Sequence, residues 1–556
     1  MRSKLRFHFL TFALFLGMLS LPGLLVSCNG QSDSTSQASS KTGVATTADV
    51  SGPEPHLDSV FVIRAMQADA KFKAQERWAR KFYRERQFRL GWFKQHQLVP
   101  QAATFLTVVG KAKDDGLDPS RYNVKQLTDM IATLGSVAQD TARRNQLERK
   151  LDVALSGTYF AWASDYYRGV ANPRDTKNDA WKVKRNKIKL DRALMTILRE
   201  RESTYPYYDF APLHPEYDYL KKALALLRAR QAAGGWPTLP GTTHLKPGDA
   251  LPVVDLLRQR LLGGEATGQT PATVAATATP VNNITKPATT SYDPALVTAV
   301  KNFQRDLGLP PTGLVSGETL RQLNVPIQER INQVILNMER WRWLPKKFEP
   351  DYLLVNIPEY RLRVYEQGKE ALTMRVIVGK TLTATPVFSD KMEYVVLAPY
   401  WNVPYSIIDK ELRSKLTANP SYLDRLDMEV VKGYGRKATV IDPSTIDWAN
   451  VTQANFKYTV RRRPGPKNDL GDVKFIFPNS NDIYLHDTPH NELFSQTKRS
   501  FSHGCVRVEE PVKLATYLLR NNPDWSQPVI EDTIAQHREK YITLKEKLPV
   551  YLVYLT

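Results

Sequence analysis

The hydrophobic period of this chain changes once, and that change restricts the fold more than any single motif. From Leu57 to about Leu262 apolar residues recur at three-and-four spacing, as in Leu151, Val153, Leu155, Tyr159 and Phe160, or Tyr219, Leu220, Leu224, Leu226 and Leu227. That spacing lays an apolar stripe along helices. After Tyr352 the alternation has period two: Tyr360, Leu362 and Val364 interleave with Arg361, Arg363 and Tyr365, Gln367-Gly368 turns the chain, and Thr373 to Val378 returns. Such alternation suits a sheet with one buried face. Further strands are expected at Glu393 to Leu397, Val473 to Phe477, Ile483 to His486, Val506 to Val508 and Pro549 to Leu555. Helix-like segments from about Tyr405 to Thr459 read as a lid inserted between two strands, and helix signals follow Pro511 and Val529. The reading is therefore multidomain α+β, with 556 residues enough for three or four units of ~150 residues each.

Residues 263–290 are rich in Thr, Ala, Pro, Gly and Val without either period and read as a low-complexity linker. A small unit is expected over 291–326. Asp293 can cap a helix with Pro294 in its first turn, Leu296, Val297, Val300, Phe303 and Leu307 form one face, and Gly308 stops it. A turn at Leu309 to Gly313 leads to a short helix near Glu318 to Leu323, and 327–350 reads as a connecting helix. The helical region before the linker spans 56–262 and the mainly β region 351–556.

Lys and Arg number 77 against 57 Asp and Glu, a net charge of +20, which favours an anionic neighbourhood such as cell-wall polymer, membrane surface or nucleic acid. The clusters Phe82 to Arg86 and Lys182 to Lys189 read as packed helix faces with basic rims and solvated charge. With 42% hydrophobic and 24% charged residues, a wholly disordered, fibrous or multi-span membrane chain is excluded. Two cysteines, Cys28 and Cys505, exclude a disulfide framework. Arg2, Lys4 and Arg6 precede the apolar run Phe7 to Val26, the layout of a signal peptide over 1–27. Its end, Leu25-Val26-Ser27-Cys28, resembles a bacterial lipobox, which implies cleavage before Cys28 and acylation of that residue. An uncleaved anchor helix ending in an incidental cysteine is the alternative, and both place the bulk of the chain outside the cytoplasm. Residues 28–55 read as a flexible tether.

The chemistry concentrates at the second cysteine. Ile483-Tyr484-Leu485-His486 ends a strand, Asp487-Thr488-Pro489 breaks it, and Ser502-His503-Gly504-Cys505-Val506-Arg507 follows. A thiol with an ordinary pKa near 8.5 needs a base to act as a nucleophile at neutral pH, and histidine is the suitable partner. Gly504 lets backbone approach closely, and the N–H groups of Gly504 and Cys505 can face a developing oxyanion. A mixed zinc site of His486, His490, His503 and Cys505 is a competing reading, weakened by Pro489, which prevents His486 and His490 from sharing a helix face. A buried inert cysteine is the second competitor.

His486 with Ser502-His503-Gly504-Cys505-Val506-Arg507 resembles the signature of the YkuD-type L,D-transpeptidase catalytic domain. The resemblance extends through Asn337 to Pro345, Thr385 to Ser389, Trp401 to Pro404, Pro464-Gly465, Asn468 with Leu470-Gly471, and Lys474 to Asn479. Ala299 to Leu309 with Thr312-Gly313 resembles a small three-helix peptidoglycan-binding domain. Asp115 to Pro119 and Gly169 to Pro173 resemble the α-helical scaffold domain of the large periplasmic members. The resemblance implies Cys505 as nucleophile and His486 as general base, oriented by a backbone carbonyl such as that of Asp487. It implies peptidoglycan stem peptides as donor and acceptor, loss of D-Ala, a thioester, and a cross-link between the third residues of two stems. No metal, cofactor or nucleic acid is expected. Arg507 is a candidate to grip a stem carboxylate or to pair with a neighbouring acid. Tyr400, Trp401, Asn402, Tyr484 and Asp487 are candidates to line the stem groove, and His503 and Ser502 to support the catalytic turn. Asp469 and the basic run Arg461-Arg462-Arg463 depart from the family's pattern. A thiol hydrolase or L,D-carboxypeptidase and a non-catalytic wall-binding lipoprotein are the alternative functions.

Overall fold

The computed structural model describes residues 53–175, 181–183, 186–199, 214–263, 291–433 and 435–556. Cys28, the tether and the linker after Gly263 lie outside the described residues. The described chain is multidomain α+β and divides into two compact units: one draws on residues up to 163, 189–199 and 221–335, the other on 164–188, 214–220 and 336–556.

The first unit is helical, with helices Ser59–Ala68, Glu76–Glu85, Pro100–Gly110 and Val124–Ser136. Asp58 accepts from the Phe61 N–H and starts the first of them. A short hairpin pairs β1 (Phe93–Lys94) with β2 (Gln97–Leu98). Asp152 ties this unit together: its carboxylate is fully buried and accepts from the Gly91 and Trp92 N–H groups at 2.8 and 2.7 Å and from the Tyr83 hydroxyl at 2.6 Å. Burial pushes the Asp152 carboxyl up to about 6, against those three donors.

Helix Pro294–Asp306 is capped by the Asp293 carboxylate, which accepts from the Leu296 N–H at 2.8 Å. It packs Leu296 and Val300 with Leu320 and Leu323 of helix Gly317–Leu323. The third helix of this small module is Val253–Leu262, which the sequence pattern assigns to the region before the linker. Its Val254 and Leu257 share one core with Tyr292, Leu296, Val300, Val315 and Leu323, and Leu239 and Leu245 belong to that core as well. Two short helices bury too little apolar surface to stand alone, so the module takes its missing face from residues on the other side of the 264–290 segment.

The second unit is built on a sheet of β3 (Tyr352–Asn356), β4 (Arg361–Glu366), β5 (Lys369–Gly379), β6 (Phe388–Leu397), β11 (Val473–Ile476), β12 (Leu485–His486), β13 (Ser500–Ser502), β14 (Val506–Val508) and β15 (Lys540–Val553). The order is β13-β5-β14-β12-β11-β6-β15-β3-β4, and β4 also pairs with β5, so the sheet closes on itself. Val364, Val376, Val395, Phe475, Leu485, Val506, Val508 and Val550 fill its interior with helix Pro511–Leu518. Between β6 and β11 lies the inserted segment, which is not simply helical. It carries its own four-stranded sheet, ordered β7 (Trp401–Asn402), β10 (Thr459–Arg462), β8 (Met428–Lys432), β9 (Thr439–Ile441). Leu412, Leu416, Leu423, Val430, Trp448 and Val460 form its separate core, so it is a small subdomain whose short strands escape a periodicity reading.

Two sequence motifs far apart in the chain meet within this unit. A Cβ at Gly169 would crowd the Glu339 carboxylate and the Trp343 indole at 2.5 Å, and the Ala171 N–H donates to Glu339 at 2.9 Å. Arg342 is fully buried and donates to the Tyr217 hydroxyl at 2.6 Å. Replacement of Leu257, which is fully buried, by alanine should destabilise the three-helix module by about 2–5 kcal/mol. Hydrogen exchange of the Pro294–Asp306 amides should accelerate accordingly, whereas the half-exposed Leu226 should tolerate the same change.

Candidate active site

Three short strands place the chemistry on one face of the sheet. In β11 and β12 Lys474 is the antiparallel partner of His486, and in β12 and β14 His486 is the parallel partner of Arg507. Alternation turns Phe475, Leu485 and Val506 into the core and leaves Lys474, His486 and Arg507 as a row across three strands on the opposite face. Tyr484 and Cys505, two residues before His486 and Arg507, fall on that same face. Tyr484 and His486 have ring centroids 5.7 Å apart, and the Lys474 ammonium lies 3.9 Å from the Tyr484 ring centroid.

The turn carrying Cys505 is locked from inside. The Ser502 hydroxyl donates to the Cys505 carbonyl at 2.5 Å and accepts from the Gly504 N–H at 3.1 Å. Gly504 has φ +127°, a conformation that favours glycine. The turn is also pinned to the loop after β5: Thr385 donates to the Gly504 carbonyl at 2.7 Å, and Lys380 N–H and Thr383 donate to the Ser502 carbonyl at 3.0 and 3.2 Å. Gly379 permits that loop, because a Cβ there would overlap the Thr383 carbonyl oxygen. The Gly504 N–H, expected to face an oxyanion, is therefore committed to Ser502. The Cys505 N–H has no partner among the described residues.

Electrostatics keep Cys505 and His486 neutral. Burial pushes the Cys505 thiol up, opposed by the N–H and hydroxyl of Tyr484 and by the Lys474 charge. Burial, then the Arg507 guanidinium and the Lys474 ammonium, lower His486 to about 3, opposed by its bond to the Asp487 carbonyl. The His486 Nδ1 lies 2.5 Å from that carbonyl oxygen, so Nδ1–H donates and Nε2 carries the free lone pair. The thiol points its proton at the Asp482 carbonyl, 3.7 Å away. An imidazolium–thiolate pair is not what this resting site favours; thiol and neutral imidazole are.

Family models match three segments: "L,D-transpeptidase catalytic domain" over residues 350–530, "Scaffold domain" over 77–224 and "Putative peptidoglycan binding domain" over 281–323. This chain carries an L,D-transpeptidase catalytic domain. A Haemophilus influenzae protein named "Putative L,D-transpeptidase" is 36% identical over 224 residues, 40% of this chain and 44% of its own length. The chain thus spans less than half the length of the curated relative that it matches. Among solved structures, an L,D-transpeptidase from Xylanimonas cellulosilytica is 14% identical, with a TM-score of 0.17 over 56% of this chain and 98% of that one. A Cys-to-Ser mutant of Enterococcus faecium L,D-transpeptidase is 12% identical, with a TM-score of 0.15 over 46% and 82%. Neither score carries an argument here.

Within the L,D-transpeptidase domain the remaining candidates separate by environment. Asp487 does not line a groove: its buried carboxylate accepts from the Asp472 and Thr488 N–H groups at 2.8 and 2.7 Å, and burial raises it to about 6. Gly471 makes room for it, since a Cβ there would overlap that carboxylate. Trp401 packs against the core of the inserted subdomain, while Asn402 is exposed beside it. Tyr400 stacks under the Arg461 guanidinium at 3.9 Å, and its N–H donates to Glu539. His503 is exposed and faces Glu411 of the inserted subdomain at 3.7 Å. His490 pairs with Glu492 at 3.4 Å on the surface. Among the described residues no three His, Cys, Asp or Glu side chains converge as metal ligands. The two departures from the family pattern answer each other: Arg462 pairs with Asp469, while Arg461 and Arg463 share Glu429. Lys474, Thr385 and Gly379 were not singled out as site residues from sequence; the alternation around His486 was the available signal for Lys474. With the thiol pushed up and no ion pair, alkylation of Cys505 by iodoacetamide should rise only above the ordinary thiol range near 8.5. Mass spectrometry across pH should find no plateau of reactivity near neutrality.

Proposed function

We propose that this protein is a peptidoglycan L,D-transpeptidase that works through a Cys505 thioester. The observation that carries this reading is the strand register that sets His486 opposite Arg507, two residues after Cys505, with the His486 Nδ1 held by the Asp487 carbonyl and Nε2 free. Rotation of the thiol away from Asp482 hands its proton to His486 Nε2 as sulfur attacks the carbonyl of the third stem residue. The carbonyl–nitrogen bond breaks, His486 returns the proton to the departing D-Ala amine, and a thioester remains. An acceptor amine then attacks the thioester, giving up a proton to His486, which restores the Cys505 thiol. The Cys505 N–H and the Tyr484 hydroxyl are the donors nearest the developing oxyanion, and burial keeps the Tyr484 hydroxyl protonated.

The inserted subdomain, with Tyr400, Trp401 and Asn402 at its root, forms one wall of the stem groove in this reading. The three-helix module binds the peptidoglycan polymer in this reading. Water in place of the amine would make the same thioester a carboxypeptidase intermediate, and product masses separate the two outcomes. Cys505→Ser should abolish turnover of a disaccharide tetrapeptide, because a hydroxyl is far less acidic than a thiol. His486→Ala should lower the rate by about 10²–10⁴-fold with folding preserved. Wild type should also form a thioester adduct with a carbapenem. Chelator inactivation with an unreactive Cys505 would overturn the nucleophile assignment.

The same reading places the chain in the bacterial envelope, tethered by acylated Cys28. Labelled fatty acid should enter the wild-type chain in a bacterial host and not the Cys28→Ser variant, which should accumulate as precursor. Stable retention needs more than one acyl chain.

A further inference from the structure

We propose that Lys474 recognises the free carboxylate at the D-Ala end of the donor stem. This rests on the transpeptidase reading above. Lys474 stands beside His486 in register, and its ammonium lies over the Tyr484 ring at 3.9 Å. Tyr484 and Cys505 fall on the same face of the sheet as Lys474, so the ammonium over the Tyr484 ring sits on the sulfur's side of the strand. Cys505, Glu539 and Asp482 contribute field at Lys474, yet its ammonium makes no ion pair or hydrogen bond among the described residues. The nearby arginines differ: Arg461, Arg462 and Arg463 all have carboxylate partners.

A partly buried ammonium resting only on an aromatic face is short of a counter-charge. In a stem with the third-residue carbonyl at Cys505, the terminal carboxylate lies three bonds further on, within about 5 Å by ordinary bond lengths. A cation beside the sulfur is at the right range for it. Arg507, on the other side of His486, is the competing cation. Its Nε is turned into the protein without a hydrogen-bond partner, and like Lys474 it has no ion pair among the described residues, so the variants below compare the two directly. Neutralisation of Lys474 by the arriving carboxylate also removes one of the two cations that depress His486, so the correct donor makes the base stronger as it binds.

The test separates binding from chemistry. The full chain carrying Cys505→Ala, which cannot turn over, is titrated calorimetrically with a tetrapeptide ending in free D-Ala and with its C-terminal amide. The acid should bind about 10–100-fold more tightly, the range of a charge-assisted contact. Lys474→Met or Lys474→Gln in that background should bring the ratio close to one with amide affinity unchanged, which also reports an intact site. Lys474→Arg should retain most of the preference, and Arg507→Met should leave it in place. Equal binding of acid and amide, or a preference lost in Arg507→Met but kept in the Lys474 variants, overturns the assignment. Failure of the transpeptidase reading registers separately, as absence of thioester formation by the Cys505 enzyme.

Discussion

A parallel pairing only two residues long, Leu485–His486 against Val506–Val508, is the constraint on which the site depends. Its inward residues, Leu485, Val506 and Val508, are fully buried, each contributing about 1.5–3 kcal/mol by leaving water. A slip of one residue would turn these out of the core onto the face that carries His486 and Arg507, and drive His486 and Arg507 into the apolar interior. The hydrophobic interior therefore sets the register, and the register brings the strand end carrying His486 beside the one that follows Cys505. The geometry of the candidate site is a by-product of core packing.

Around that pairing, polar contacts are spent on backbone geometry. Ser502 closes the turn of Cys505, Thr385 and Thr383 tie that turn to the loop after β5, and Asp487 gathers the Asp472 and Thr488 N–H groups. Each bond restrains a loop whose freedom would otherwise be lost only when substrate arrives. The result is a braced frame in which, among the described residues, the Cys505 N–H and the Lys474 ammonium are left without a hydrogen-bond partner.

The electrostatic design follows from the same frame. Two cations flank His486 on neighbouring strands, and burial adds to their effect, so the imidazole rests neutral. The thiol is likewise held protonated by burial. With both groups neutral at rest, the unprompted reactivity of the cysteine is limited.

Periodicity alone separated the helical from the mainly β part of the chain, because burial of one face writes a period of 3.6 or 2 into any amphipathic element. The motif around Cys505 and His486 was legible for a similar reason: a thiol, an imidazole and a glycine in a strained turn have few uses in common. What the sequence did not carry was partnership across space. That Val253–Leu262 completes the three-helix module, that Asp469 answers Arg462, that Asp487 is a buried backbone clamp and that Lys474 stands without a counter-ion are properties of contacts between distant segments. Local pattern reports which face a residue prefers; only the folded chain decides what it meets there.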